Sequence, residues 1–295
     1  MKPASTLTPG QKQEIDRYLR SGEHHDPLFS AWPGQNVLEC AINGGKALRN
    51  TLVEEVKARL ARVNVPDIQL PPDLAAFTRS RVGPMVRGLF PSKEQEVVLG
   101  ALDSSIVFVT PANYEQAIRR DADLKTAWDV ANFFLSSVGA KTVSGSPTEV
   151  VGLSVGTKNY VSICYFTCAE PCADYVVHEC AHVFHNTKRR TVGLPFTRTK
   201  EWMLEIDFKK RELFAYCCET YRRLLEEGQT LQARRTLVKK LCRTSLPPRS
   251  VVDPKEYLSV LEEAVEARNG WKRILKRCGP PGRSAVRPWQ LSGPS

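Results

Sequence analysis

Residues 175–185 read YVVHECAHVFH and carry three of the five histidines in a chain of 295 residues. His178 and His182 stand four apart, which on a helix puts them on one face, one turn from each other. Projected at about 100° per residue, Tyr175, His178, His182 and His185 fall on one side. Val176, Val177, Cys180, Val183 and Phe184 fall on the other. Such a helix buries its apolar face and turns its histidines toward a shared cleft. The H-E-x-x-H string alone is a weak signal, and this segregation of residue types is what strengthens it.

Two imidazoles at this spacing can grip one zinc ion, with Glu179 between them as general base to a water. A catalytic zinc commonly takes three protein ligands. His185 makes a poor third, because it lies about 10 Å along the axis from His178, whereas ligands of one ion crowd within about 2 Å of it. The next expected helix, 201–227, offers Glu205, Glu212, Glu219 and Glu226 at seven-residue intervals. A solvated acidic face accounts for Glu226 and Glu205. Glu212 is different, because LFAYCC follows it and implies burial around the whole helix. A buried carboxylate needs a partner, and a metal would serve. Glu212 is therefore the preferred third ligand and Glu219 the alternative. With Glu212 as ligand, Glu219 would orient a ligating histidine. Tyr216, His185 and Tyr175 are the candidate donors to a developing oxyanion.

The segment HECAHVFH and the later ELFA of 212–215 resemble the gluzincin pattern, H-E-x-x-H followed by E-x-x-A. Within that group they are similar to the ImmA/IrrE-type metallopeptidases. The resemblance covers about 160–221, and Tyr216 stands where an Asn or Asp often follows the Ala. It implies a zincin-like core, one zinc ion held by His178, His182 and Glu212, and hydrolysis of peptide bonds in a protein substrate. In that family the enzymes are compact and cytoplasmic, and the substrates are transcriptional repressors.

Working outward, 1–103 is expected to be mostly helical: a helix opening at Thr8-Pro9 and closing at Gly22, a second around 45–63, then two short ones. His24 and His25 lie in a polar turn. SSIVFVT, 104–110, is expected to be a strand, 111–138 one long helix, and 148–166 two strands about a glycine turn. The strand YVSICYF is expected to pair with an extended substrate. The basic loop 188–198 would border the cleft and favour acidic substrates. The sequence thus predicts an α+β chain, a helical N-terminal region of 1–103 packed on a zincin-like core of 104–245. A C-terminal helix of 246–278 and a disordered tail of 279–295, rich in Pro, Gly and Ser, complete it.

Composition sets the class. A hydrophobic share of 42% and a charged share of 25% are those of a soluble globular chain. No apolar run approaches the about 20 residues of a membrane span. The start lacks the apolar core of a secretory signal, so a cytoplasmic location and reduced cysteines are expected. Cys164, Cys168 and Cys172 form a possible second metal cluster at unusual spacing. The net charge is +10, and 181–250 holds 16 Lys and Arg against 7 Asp and Glu. That excess is mostly expected on solvated helix faces. It also supports an alternative, a zinc-stabilised regulator or nucleic-acid-binding module that cleaves nothing.

Overall fold

The computed structural model describes residues 7–65, 67–120, 123–146, 151–167, 173–195, 206–244 and 246–279. The chain is α+β and mostly helical, with one three-stranded sheet. The first four helices are α1 (Pro9–Ser21), α2 (Val37–Leu60), α3 (Leu74–Leu89) and α4 (Ser92–Ser105). α1 starts where expected, at a capping box between Thr8 and Gln11, and stops at Gly22, whose φ of 75° is left-handed. The strands are β1 (Ile106–Val109), β2 (Gly152–Val155) and β3 (Lys158–Ser162). α5 (Tyr114–Arg120) and α6 (Leu124–Ser137) follow β1. The one long helix expected over 111–138 is two. Asp123 caps a fresh start, its carboxylate accepting the N–H of Thr126 at 2.9 Å.

The sheet order is β1-β3-β2, with β1 parallel and β2 antiparallel to β3. Gly156, at a φ of 60°, makes the tight β2–β3 turn. Side chains alternate across each strand, and here both faces are covered. Phe108 and Val161 point into one core, built with α3, α4, α7 (Tyr175–Asn186), α8 (Phe208–Glu227), α10 (Pro254–Glu266) and α11 (Gly270–Cys278). Val109 and Tyr160 point into a second core with α1, α2, α5 and α6. The helices of 1–103 are thus shared between two cores rather than gathered in one.

Three expectations are corrected. β3 is the central strand, hydrogen-bonded along both edges, and 163–166, expected to continue it, is a 3-10 turn, so YVSICYF has no edge left for a substrate. The sheet edge on that side is β2. α8 starts at Phe208, capped by Asp207, rather than near 201. The single helix expected over 246–278 is two, because Asn269 caps α11 as a separate helix. α9 (Leu231–Thr244) lies between α8 and this pair. Of the expected tail, 279–295, all but Gly279 lies outside the described residues, as do Cys168, Cys172 and Glu205.

Candidate metal centre

α7 begins at Asp174, whose carboxylate accepts the N–H of Val177 at 3.3 Å. α8 packs against it in the opposite direction, so His178 meets Glu219 and His182 meets Glu212. The apolar side of α7 is buried as the projection requires, with Val176, Val177 and Cys180 fully covered.

His178 Nε2 and His182 Nε2 lie 3.2 Å apart. The Glu212 carboxylate is 3.8 Å from the first and 3.6 Å from the second. Ligands about 2.0–2.2 Å from a tetrahedral ion stand about 3.3–3.6 Å from one another. Among the described residues, His178, His182 and Glu212 form the group that could hold a metal ion. Two imidazoles and a carboxylate fit a zinc ion in donor type as well as in spacing.

Glu219 is placed behind that group rather than in it. Its Oε2 lies 2.8 Å from His178 Nδ1, and its Oε1 accepts the N–H of Asp174 at 3.0 Å. With Glu219 on Nδ1, the His178 ring presents Nε2 to the site. Asp174 is fully buried and receives Arg81 Nε at 2.8 Å, while Tyr165 donates to its other oxygen at 3.2 Å. Arg81 continues to Glu226 at 2.8 Å, so the last glutamate of the stripe is ion-paired.

Glu179 is buried, and Ser154 of β2 sits within hydrogen-bond reach of its carboxylate. Ser154 Oγ also lies 2.6 Å from Asn159 Oδ1. β2 approaches so closely here that a Cβ on Gly152 would stand 2.1 Å from Glu179 Oε1. Any side chain there would have to displace the Glu179 carboxylate.

Burial alone would push His178 down, but its bond to Glu219 and the nearby carboxylates carry it up to about 9. Burial, then the charges of His178, His185 and Arg211, hold His182 down to about 2. Burial also raises the carboxyls of Glu179 and Glu212 above their ordinary value, against the pull of His178.

These groups line a cavity of about 850 Å³. The edge strand β2 forms one wall, α7 and α8 two more, and Leu246, Pro247, Pro248 and Tyr257 complete it. Tyr175 and Tyr216 both line it, and the Tyr216 ring stands edge-on to His178 at 4.6 Å between centroids. His185 does not line it. Its ring is 1% exposed and packs on Phe214 at 5.4 Å, which removes it from the candidate oxyanion donors. The stripe that faces the cavity runs from Tyr175 through His178 and His182 to Asn186. Of the basic loop, Arg189 is buried and tied to Glu94 at 2.7 Å, so it is not offered to the cleft. Cys164 donates to Ser137 O at 2.9 Å.

Sequence reasoning missed Asp174, Arg81, Ser154, Gly152 and Arg211. Asp174 carried a usable signal, an aspartate directly before an apolar-periodic run. Arg81, Ser154 and Gly152 come from distant segments and carried none, whereas Arg211 adjoins Glu212 on α8. Among the described residues no helix is long and apolar enough to cross a membrane. No protein-family model, no curated protein and no solved structure matches this chain.

Proposed function

We propose that this protein is a zinc metallopeptidase of the gluzincin type, with a zincin-like core made of the sheet, α7 and α8. The observation that carries the reading is one convergence. His178, His182 and Glu212 aim three donors at one point, with Glu179 beside them in the same cavity. Zinc held there supplies a Lewis acid that acidifies water and polarises a carbonyl oxygen.

The chain supplies the rest. Glu179 takes the proton of the attacking water on a carboxylate oxygen as the O–C bond forms. It then passes that proton to the amine as the C–N bond breaks. Its raised carboxyl pKa suits both halves of that exchange. Ser154 and Gly152 fix where the carboxylate stands. Tyr216 and Tyr175 line the cavity and are the candidate donors to a developing oxyanion. The outer edge of β2 lies along the cavity and offers backbone N–H and C=O groups to an extended peptide. A regulatory protein is the substrate class the sequence resemblance suggests.

Metal analysis of purified protein, followed by incubation with a proteome-derived peptide mixture, tests the reading. One zinc per chain is expected, with cleavage that is lost in Glu179→Gln while zinc is kept. Cleavage unchanged in Glu179→Gln would sink it. The nucleic-acid alternative rests on the basic excess of 181–250, part of which is paired within the fold. Lys210, Arg223 and Arg235 there are engaged by Glu256, Glu226 and Glu266.

A further inference from the structure

The charged groups that line the cavity are unevenly distributed. At the α7 start and α8 middle stand Glu219, His178 and the hydroxyls of Tyr175 and Tyr216. At the other end, beyond His182, stand Asn186, Phe208 and Arg211. With α7 and α8 antiparallel, His182 faces Glu212, and Asn186 at the end of α7 lines the same cavity as Phe208 and Arg211 in the first turn of α8. Arg211 is the one Lys or Arg among the described lining residues. Its Nε donates to Ile206 O at 3.1 Å, which anchors the guanidinium at its stem. Among the described residues it has no ion pair. This sets it apart from Arg189, Lys210 and Arg223, which each have a carboxylate. Asn186 is exposed at the end of α7, and its side chain makes no hydrogen bond among the described residues.

A half-buried guanidinium has lost part of its water and gains from an anionic partner. Its outer amino groups are donors of the kind that match a carboxylate, and Asn186, whose amide can donate as well, lines the same cavity. Glu212, one residue on, is directed at the two imidazoles. We propose that Arg211 and Asn186 form a carboxylate-binding subsite at the His182 end of the cavity. The carboxylate is either an Asp or Glu side chain of the substrate or its free C-terminus. The assignment of that group to a peptide rests on the metallopeptidase reading. Phe208, exposed at the rim of the same end, adds an apolar contact beside the charge.

The test is a binding comparison on the zinc-loaded protein by ligand-observed NMR, with two probe pairs. N-acetylphenylalanine against its amide reports a terminal carboxylate. N-acetylglutamic acid α-amide against N-acetylglutamine α-amide reports a side-chain carboxylate. In at least one pair the acid is expected to bind about ten-fold tighter than the amide. The pair that discriminates identifies the source. That preference should vanish in Arg211→Gln, survive in part in Arg211→Lys, and vanish in Asn186→Asp, with zinc content unchanged throughout. Asn186→Asp alters an exposed helix end, so it decides the matter even if Arg211→Gln does not fold. Equal binding of acid and amide to the wild type overturns the proposal. So does a preference that persists in both Arg211→Gln and Asn186→Asp, since the metal itself would then be its source. Discrimination without hydrolysis of any peptide counts against the peptidase reading alone.

Discussion

Glu219 Oε2 lies 2.8 Å from His178 Nδ1, and the same carboxylate accepts the N–H of Asp174 at 3.0 Å. One buried side chain of α8 therefore fixes both a histidine ring and the first turn of the helix that carries it.

Glu219→Gln keeps an acceptor but loses the charge that sets the His178 tautomer. It is expected to weaken zinc binding about 10–100-fold. Glu212→Ala removes a donor that faces both imidazoles and is expected to weaken it more. Competition with a chromophoric chelator measures both. Equal losses in the two variants would contradict the division of roles.

Zinc uptake should release a proton from His178. In the metal-free protein this ring titrates at about 9, so below that pH zinc must displace a proton. Apparent affinity should therefore rise about ten-fold per pH unit from pH 7 to 8 and flatten above 9. His182, held down to about 2, adds no proton in that range. Stability of the metal-free protein runs the other way. The folded value lies above the ordinary value of 6.5, so the stabilisation is full below pH 6.5 and is lost as pH rises through 9. Calorimetry in two buffers of different ionisation enthalpy counts the proton.

Gly152→Ala drives a methyl group into the Glu179 carboxylate. Catalysis should fall sharply while zinc binding changes little, because the atoms nearest the added methyl all belong to Glu179. Overpacking of this kind also costs about 1–3 kcal/mol of stability. Zinc content, steady-state rate and urea unfolding of one preparation separate the effects.

Arg81→Ala leaves the fully buried Asp174 carboxylate without its cation. Breaking a buried pair in this way costs about 3–5 kcal/mol. Urea unfolding should show that loss with an unchanged slope. Arg235→Ala, whose ion pair with Glu266 is exposed on both sides, should cost under about 1 kcal/mol.

His185 is held down to about 4 by burial and then by the charge of Arg211. Its folded value lies below the ordinary 6.5, so the protein should lose stability as pH falls from 6.5 to 4. His185→Leu should flatten that acid slope by about 2–3 kcal/mol without changing zinc content. Thermal melts at pH 7 and pH 4.5 give the difference.

Much of the site was legible because it is local. The four-residue step from His178 to His182, with Glu179 between, needs only the pitch of one helix to become a constellation. The apolar positions of α7 follow from the same period. Capping residues are equally local: Thr8 and Gly22 marked the ends of α1. The break at Asp123 had its signal too, an aspartate directly before the helical run that opens at Leu124.

The sequence by itself determined that α7 is a helix, that it buries Val176, Val177 and Cys180, and that two histidines share its other face. It also narrowed the third donor to a stripe of glutamates on the next helix. Glu212 and Glu219 are two turns apart on that stripe, so periodicity treats them alike. Only the antiparallel packing of α8 on α7, and its offset along the axis, turns Glu212 to the two Nε2 atoms and Glu219 to Nδ1. The same holds for the strands. β2 and β3 share one hairpin, and their alternation is alike. Pairing with β1, from a segment some fifty residues earlier, takes the second edge of β3 and leaves β2 beside the cavity. Period is a property of a segment, whereas offset and edge are properties of two segments in contact, and those exist only in the folded chain.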